Sequence, residues 1–428
     1  MLLGVAYVSA QSEPLIADVD GTRSVGNSSQ FSRGQNENAY VLAVRPDLYF
    51  ERLTLEEWHQ HRVQTIIHSW QMRMELQAFF GKFPKINGTV YLEGGICEIC
   101  GCITTFCRSD GNSSYVTSLQ LGRRDSPGNG TGLGDGGCRG YMDCPKDSFN
   151  VTLEESDWPE FQYLTEFRIT NGLGTGTELL RGPLPTQLPL VSPYLSYIQV
   201  YGSGLQGAVP STWFASRVWP LGTLQLFDNP NLRGQLPNIA DDALPHLAEL
   251  TIKDSPLMGG TVPSVGKLGL PDPRRPDQAT ASVLLVNLGL TGTLPADFAS
   301  GGAVSSLDLT NNSVTGTLPA SWGEAGHFGF IRQMILANNS LQGTVPKSWS
   351  QILKTTGTNG ALTLHLAGNK LEGSIPASFG ASNRYFANNV FVRPGNSFCG
   401  RAPNNTLLLI AQGNSLYNDE VNATLPAC

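Results

Sequence analysis

The chain has 428 residues, of which 15% are charged, and a formal net charge of −7. That length exceeds one ordinary compact core and calls for several domains or an elongated array. The sparse, net acidic charge excludes a phosphate-binding surface, which needs clustered Lys and Arg.

The chain opens MLLGVAYVSAQ. This reads as a short signal peptide ending at Ala10, or as a retained segment, since it lacks a basic start. Residues 11–50 are polar and rich in Ser, Asn and Gln, and a partner or the rest of the chain is needed to order such an arm. No run of about 18 apolar residues exists, so no membrane span is encoded. Thr54-Leu-Glu-Glu57 is a capping box, with Leu53 and Trp58 as its hydrophobic staple. The helix it starts is expected to reach about Phe80 and to bury Leu55, Val63, Ile66, Ile67, Trp70 and Met74. The stretch 85–97 follows as a strand and turn.

Eight cysteines fall in two groups: Cys97, Cys100, Cys102, Cys107, Cys138 and Cys144, then Cys399 and Cys428. An even, clustered count indicates disulfides and an oxidising compartment. Nine sequons agree, at Asn27, Asn87, Asn112, Asn129, Asn150, Asn311, Asn338, Asn404 and Asn422. The run CEICGC also has the spacing of a metal site, but bridges suit a sequon-rich chain better. The first six cysteines allow fifteen pairings, and none is assigned.

From YVTSLQL at 115–121 onward, short apolar alternations recur. Leu224-Gln-Leu226 precedes Asn229, Leu307-Asp-Leu309 precedes Asn312, Met334-Ile-Leu336 precedes Asn339, and Leu364-His-Leu366 precedes Asn369. Period-two alternation is strand patterning with one face buried. A tetrapeptide G-x-[LVI]-P follows each, starting at Gly182, Gly207, Gly234, Gly260, Gly292, Gly316, Gly343 and Gly373. The intervals are 25, 27, 26, 32, 24, 27 and 30 residues, and a period in the twenties indicates a solenoid. Each unit has too few apolar residues to close a core alone, so neighbours must stack. The Asn is expected to bond main-chain groups of its own and the next coil. Gly permits a tight path and Pro fixes φ where no ladder N–H is needed. Ser203, Ser255 and Leu288 replace the Asn in three units, and LPDPRRPDQ at 270–278 reads as an inserted surface loop.

The pattern LxLxxNxLxGx[LIV]P resembles the plant-type extracellular leucine-rich-repeat family over about residues 115–428, and GTLPASWG is similar to repeats of green algae and other protists. The resemblance implies an α/β solenoid: a right-handed superhelix with a concave parallel β-sheet, a helical N-terminal cap and a disulfide-stapled C-terminal cap. In its terms, residues 1–50 are an N-terminal arm, 51–114 a helical and Cys-rich cap, 115–391 the repeats and 392–428 the C-terminal cap. Phe386-Ala-Asn-Asn389 would start a truncated unit, and PGNSFCGRAP would lead to a bridge between Cys399 and Cys428. LLLIAQGNSL at 407–416 reads as one more degenerate strand inside that loop.

No catalytic signature is present: no nucleophile elbow, HExxH, P-loop or kinase set. Glu56-Glu57, Glu154-Glu155 and Asp241-Asp242 are adjacent and would point apart. His61 and His68 could share a helix face but lack a carboxylate partner, so neither metal nor cofactor is implied. The strand register leaves three outward columns. Tyr197, Gln199, Tyr201, Gln225, Phe227, Glu249, Lys253, Asp308 and His365 stand out there as a candidate binding set, because exposed aromatics amid polar groups serve protein or sugar recognition. Asn311 and Asn338 share one register, so their glycans would crowd one edge and keep tight interfaces away from it.

The chain is therefore expected to be a secreted, non-enzymatic recognition module for a protein or cell-wall glycan. The alternative is a structural subunit of an extracellular wall, sheath or filament, assembled through the N-terminal arm.

Overall fold

The computed structural model describes residues 78–79, 81–83, 103–109, 114–122, 149–170, 177–215, 219–239, 243–265, 268, 281–298, 300, 304–324, 327–328, 330–355, 362–381, 388–404, 406–410, 421–422 and 424–428. The arm 1–50, most of the cap helix, the stretch 85–97 and the 270–278 insertion lie outside them.

The repeats form one thirteen-stranded sheet. Its strands in order are β1 (Ile103–Ser109), β2 (Ser114–Leu121), β3 (Glu166–Thr170), β4 (Tyr197–Tyr201), β5 (Thr223–Phe227), β6 (Glu249–Lys253), β7 (Ala281–Val286) and β8 (Val304–Asp308). There follow β10 (Gln333–Ile335), β12 (Thr363–His365), β14 (Asn388–Arg393), β16 (Thr406–Ile410) and β17 (Val421–Asn422). A second, four-stranded sheet takes the segments around the Gly of the repeat: β9 (Thr315–Thr317), β11 (Ser340–Gly343), β13 (Lys370–Gly373) and β15 (Ser397–Phe398). The two sheets interleave in sequence because every coil contributes one strand to the first, and the later coils one to the second. From β2 to β16 every neighbour in the large sheet is parallel. Both ends are reversed: β1 runs antiparallel to β2, and β17 antiparallel to β16.

The alternation does what the spacing requires. Ile198 and Val200, Leu224 and Leu226, Leu250 and Ile252, and Leu364 and Leu366 are buried on one face. With their counterparts they form a single core running from Phe79 to Leu408. No coil closes this core alone, since each leucine pair is roofed by the pair of the next coil.

The ladder asparagines satisfy the turn after each strand, in the direction opposite to expectation. Asn312 Oδ1 accepts from the backbone N–H of Leu288 and Leu290, and its Nδ2 donates to the carbonyls of Leu285 and Leu309. Asn339 accepts from Val314 N–H and donates to Leu309 and Leu336. The partners belong to the same coil and the preceding one, not the following one. Asn396, unforeseen in this role, continues the column by accepting from Leu371 N–H. Ser203 takes a weaker part, with both its N–H and its hydroxyl donating to Asn229 Oδ1. Gly316, in the middle of β9, holds φ at 80°, a conformation closed to most side chains.

Opposite the large sheet, short 3-10 turns carry a column of indoles. Trp213, Trp322 and Trp349 donate Nε1–H to the carbonyls of Pro185, Pro295 and Pro319, each in the preceding coil, at 2.8, 2.8 and 2.7 Å. Trp322 and Trp349 stack at 5.8 Å between centroids.

At the N-terminal end, Ala78, Phe79 and Gly81 are helical, where the expected cap helix is to end. Phe79 and Phe83 are buried against Trp158 and Phe149, and Lys82 pairs with Asp157 at 2.6 Å. Leu55, Val63, Ile66, Ile67, Trp70 and Met74 lie outside the described residues. At the C-terminal end, Cys399 and Cys428 form the disulfide that the resemblance implied, across 29 residues. Of the expected truncated unit, the strand Asn388–Arg393 is described, with Val390 and Val392 buried, and Phe386 lies outside the described residues. Strand β16, Thr406–Ile410, covers the first part of the 407–416 segment read as degenerate, and Asn414 lies outside the described residues. Of the first six cysteines only Cys107 is placed, on β1 opposite Val116; Cys97, Cys100, Cys102, Cys138 and Cys144 lie outside.

Candidate binding face

The residues that the large sheet turns away from the core form three ranks. Tyr197 lies opposite Thr223, then Glu249; Gln199 opposite Gln225, then Thr251; Tyr201 opposite Phe227, then Lys253. Strand β3 adds Glu166, Arg168 and Thr170 to the same ranks, and β2 adds Ser118 and Gln120. Neighbouring strands lie about 4.8 Å apart, so polar side chains of one rank can bond each other directly.

They do so across five strands. Ser118 Oγ donates to Glu166 Oε2 at 3.0 Å. Arg168 Nε donates to Glu166 Oε1 at 2.6 Å, and its guanidinium lies over the Tyr197 ring, 4.4 Å from the centroid. The Tyr197 hydroxyl donates to Gln225 Oε1 at 3.1 Å, which also accepts from Gln199 Nε2 at 2.9 Å. Gln225 Nε2 then donates to Glu249 Oε1 at 2.8 Å, where Thr251 Oγ1 donates too. Burial raises the Tyr197 pKa and nearby Arg168 partly offsets it, so the phenol stays a donor. Tyr201 and Phe227 meet edge to face at 6.5 Å. Lys253, next in that rank, makes no ion pair among the described residues. Gln199 Oε1 has no hydrogen-bond partner among them either.

The face changes character beyond β6. Leu284 and Val286 on β7 are half-buried, and Ile335, Ala337, Ala367, Phe391 and Leu409 are buried, although all occupy outward positions. Asp308 and His365 were expected to be available on this face, but are only 7% and 5% exposed. Asp308 Oδ1 accepts from Thr310 N–H, and the His365 ring stacks on Phe391 at 4.7 Å. The structure therefore gathers Tyr197, Gln199, Tyr201, Gln225, Phe227, Glu249 and Lys253 into one polar and aromatic cluster and leaves Asp308 and His365 out. It adds Glu166 and Arg168, which the sequence reading did not single out and which the pairing of β3 with β4 brings into the same ranks.

Asn311 and Asn338 are exposed, with φ of 58° and 53°, and Asn338 Nδ2 donates to Asn311 Oδ1 at 2.9 Å. Asn150 and Asn404 are exposed as well. Asn422 lies on β17, and Asn27, Asn87, Asn112 and Asn129 lie outside the described residues. Among the described residues no cluster of His, Cys, Asp and Glu could hold a metal ion, and no helix is long and apolar enough to cross a membrane.

No protein-family model matches the chain, and no curated protein matches it. Among solved structures it is similar to the leucine-rich-repeat ectodomain of the Arabidopsis receptor kinase HAESA, which was determined with an extended IDA peptide hormone. Identity there is 20%, over 60% of this chain and 47% of that one, with a TM-score of 0.34. It is also similar to PEPR1–AtPEP1, at 16% identity over 79% of this chain and 51% of that one, with a TM-score of 0.36. The Arabidopsis thaliana BIR2 ectodomain gives 24% identity over 36% of this chain and 70% of that one, with a TM-score of 0.24. The chain thus spans about half the length of the first two. The solenoid itself stands on the sheet order and the asparagine column above.

Proposed function

We propose that the chain is a secreted, non-enzymatic leucine-rich-repeat glycoprotein that binds a protein or extracellular glycan partner through the outward face of β3–β6. The observation that supports this is the bonded network from Ser118 to Thr251, flanked by the Tyr201–Phe227 pair and by Lys253, which makes no ion pair among the described residues. Side chains already fixed by mutual hydrogen bonds lose little freedom when a ligand arrives, and half-buried aromatics supply contact area at low entropic cost. Exposed sequon asparagines and the Cys399–Cys428 bridge support an extracellular setting. Division into the arm 1–50, cap 51–114, repeats 115–391 and cap 392–428 belongs to the same reading.

A photo-crosslinking residue at position 201, compared with one at position 317 on the second sheet, tests the face. Extracellular material from the source should give a saturable adduct only at 201. Equal labelling at both positions would remove the assignment.

A further inference from the structure

We infer that the ligand of this face is an uncharged oligosaccharide, an inference that rests on the binding reading above. Consider first what hydrogen-bonding capacity the network leaves over. Glu249 uses Oε1 to accept from Gln225 and Thr251, which leaves Oε2 as an uncommitted anionic acceptor. Lys253, at the far end of the same strand, is an uncommitted cationic donor among the described residues. Four strand residues separate the two groups by about 13 Å. An anionic ligand long enough to reach both gains at Lys253 and loses at Glu249, and a cationic one does the reverse. A hydroxyl donates to one and accepts from the other, so a chain of hydroxyls satisfies both without a charge of its own.

The shape of the cluster agrees. Gln199, Gln225 and Glu249 present planar amide and carboxylate groups on neighbouring strands, already held by Tyr197 and Thr251. Beside them, Tyr201 and Phe227 offer two rings at 6.5 Å, a surface for the C–H face of a sugar ring. An extended peptide has less to hold. Strands β3–β6 are each paired on both sides, so they leave no edge for main-chain hydrogen bonding. Such a peptide would have only its side chains to bind with, and the face offers them a shallow polar row.

The test uses the full-length glycoprotein from a secreting host. Its binding to neutral gluco-, manno-, galacto- and xylo-oligosaccharides is compared with that to uronate oligosaccharides and a peptide library. The best probe is then titrated against Gln225→Ala, Tyr201→Phe, Tyr201→Ala and, on β8, Ser306→Ala. A neutral oligosaccharide should bind best, and Gln225→Ala and Tyr201→Ala should each weaken it roughly tenfold, the scale of one lost hydrogen bond or ring contact. Ser306→Ala should bind unchanged, and every variant should still unfold in one cooperative transition, which shows that weaker binding is not loss of the fold. Preference for uronates or peptides that still depends on Gln225 and Tyr201 overturns the sugar assignment and leaves the binding face standing. Binding that neither substitution weakens, or no binding to any probe, overturns both.

Discussion

His365 illustrates how a single side chain can be read correctly in position and wrongly in environment. Its strand alternation places it outward, and outward it is, opposite Ile335 and Phe391. Its burial comes with the Phe391 ring stacked on it, and Phe391 sits there because β12 and β14 pair with residue 365 opposite residue 391. Asn312 and its equivalents give a second case. Their spacing from the strand is fixed in sequence, but a spacing carries no direction along the stack, so which neighbouring coil they bond was not legible. Burial lowers the His365 pKa from 6.5 to about 4. In the unfolded chain the ring takes a proton near 6.5, whereas in the native one it resists until about 4. The contribution is therefore full above 6.5 and is lost as pH falls toward 4, by roughly 3 kcal/mol. Urea unfolding midpoints should fall across that window, and His365→Gln should flatten the fall.

Among the elements, the strands of the large sheet were the most legible part. Leu-x-Leu alternation anchored by G-x-[LVI]-P fixes the face of the repeat strands, and the outward columns through Tyr197 and Gln199 match the observed register from β4 to β12, the column through Tyr201 as far as β7. Strand β1 was missed because ITTFCRS lies among the cysteines, outside any repeat, and pairs by a local hairpin. The indole column was missed too, although Ser-Trp recurs two residues after the Pro at 319 and 346; its partners are main-chain carbonyls, which no side-chain pattern announces. That column needs close coil-to-coil approach. A Cβ on Gly323 would lie 2.2 Å from the backbone carbon of Ser348 in the next coil. Gly323→Ala should therefore separate the Trp322 and Trp349 coils and cost about 3 kcal/mol. Chemical denaturation measures the loss, and an unchanged midpoint would mean the coils slide freely.

For the molecule as a whole, the solenoid was readable because repetition multiplies a weak signal. The location of the candidate site was less so, since it depends on which side chains along one face happen to bond each other. The bridge between Cys399 and Cys428 ties the final strands to the last coil, and Gly400 N–H donates to the carbonyl of Pro426 beside it. Closing a 29-residue separation restrains the unfolded chain by about 3–4 kcal/mol in the chain-entropy view. The double substitution Cys399→Ser with Cys428→Ser should lower the unfolding midpoint accordingly, and proteolysis should then nick the C-terminal end first. Equal midpoints would show that the cap holds without its staple.

The reversed strands β1 and β17 have a bearing on ancestry and growth. Among the described residues, a second molecule approaching end to end would meet a strand running against the parallel stack, two residues long in the case of β17. A new coil slipped in between them by gene duplication would leave both reversed strands as they are.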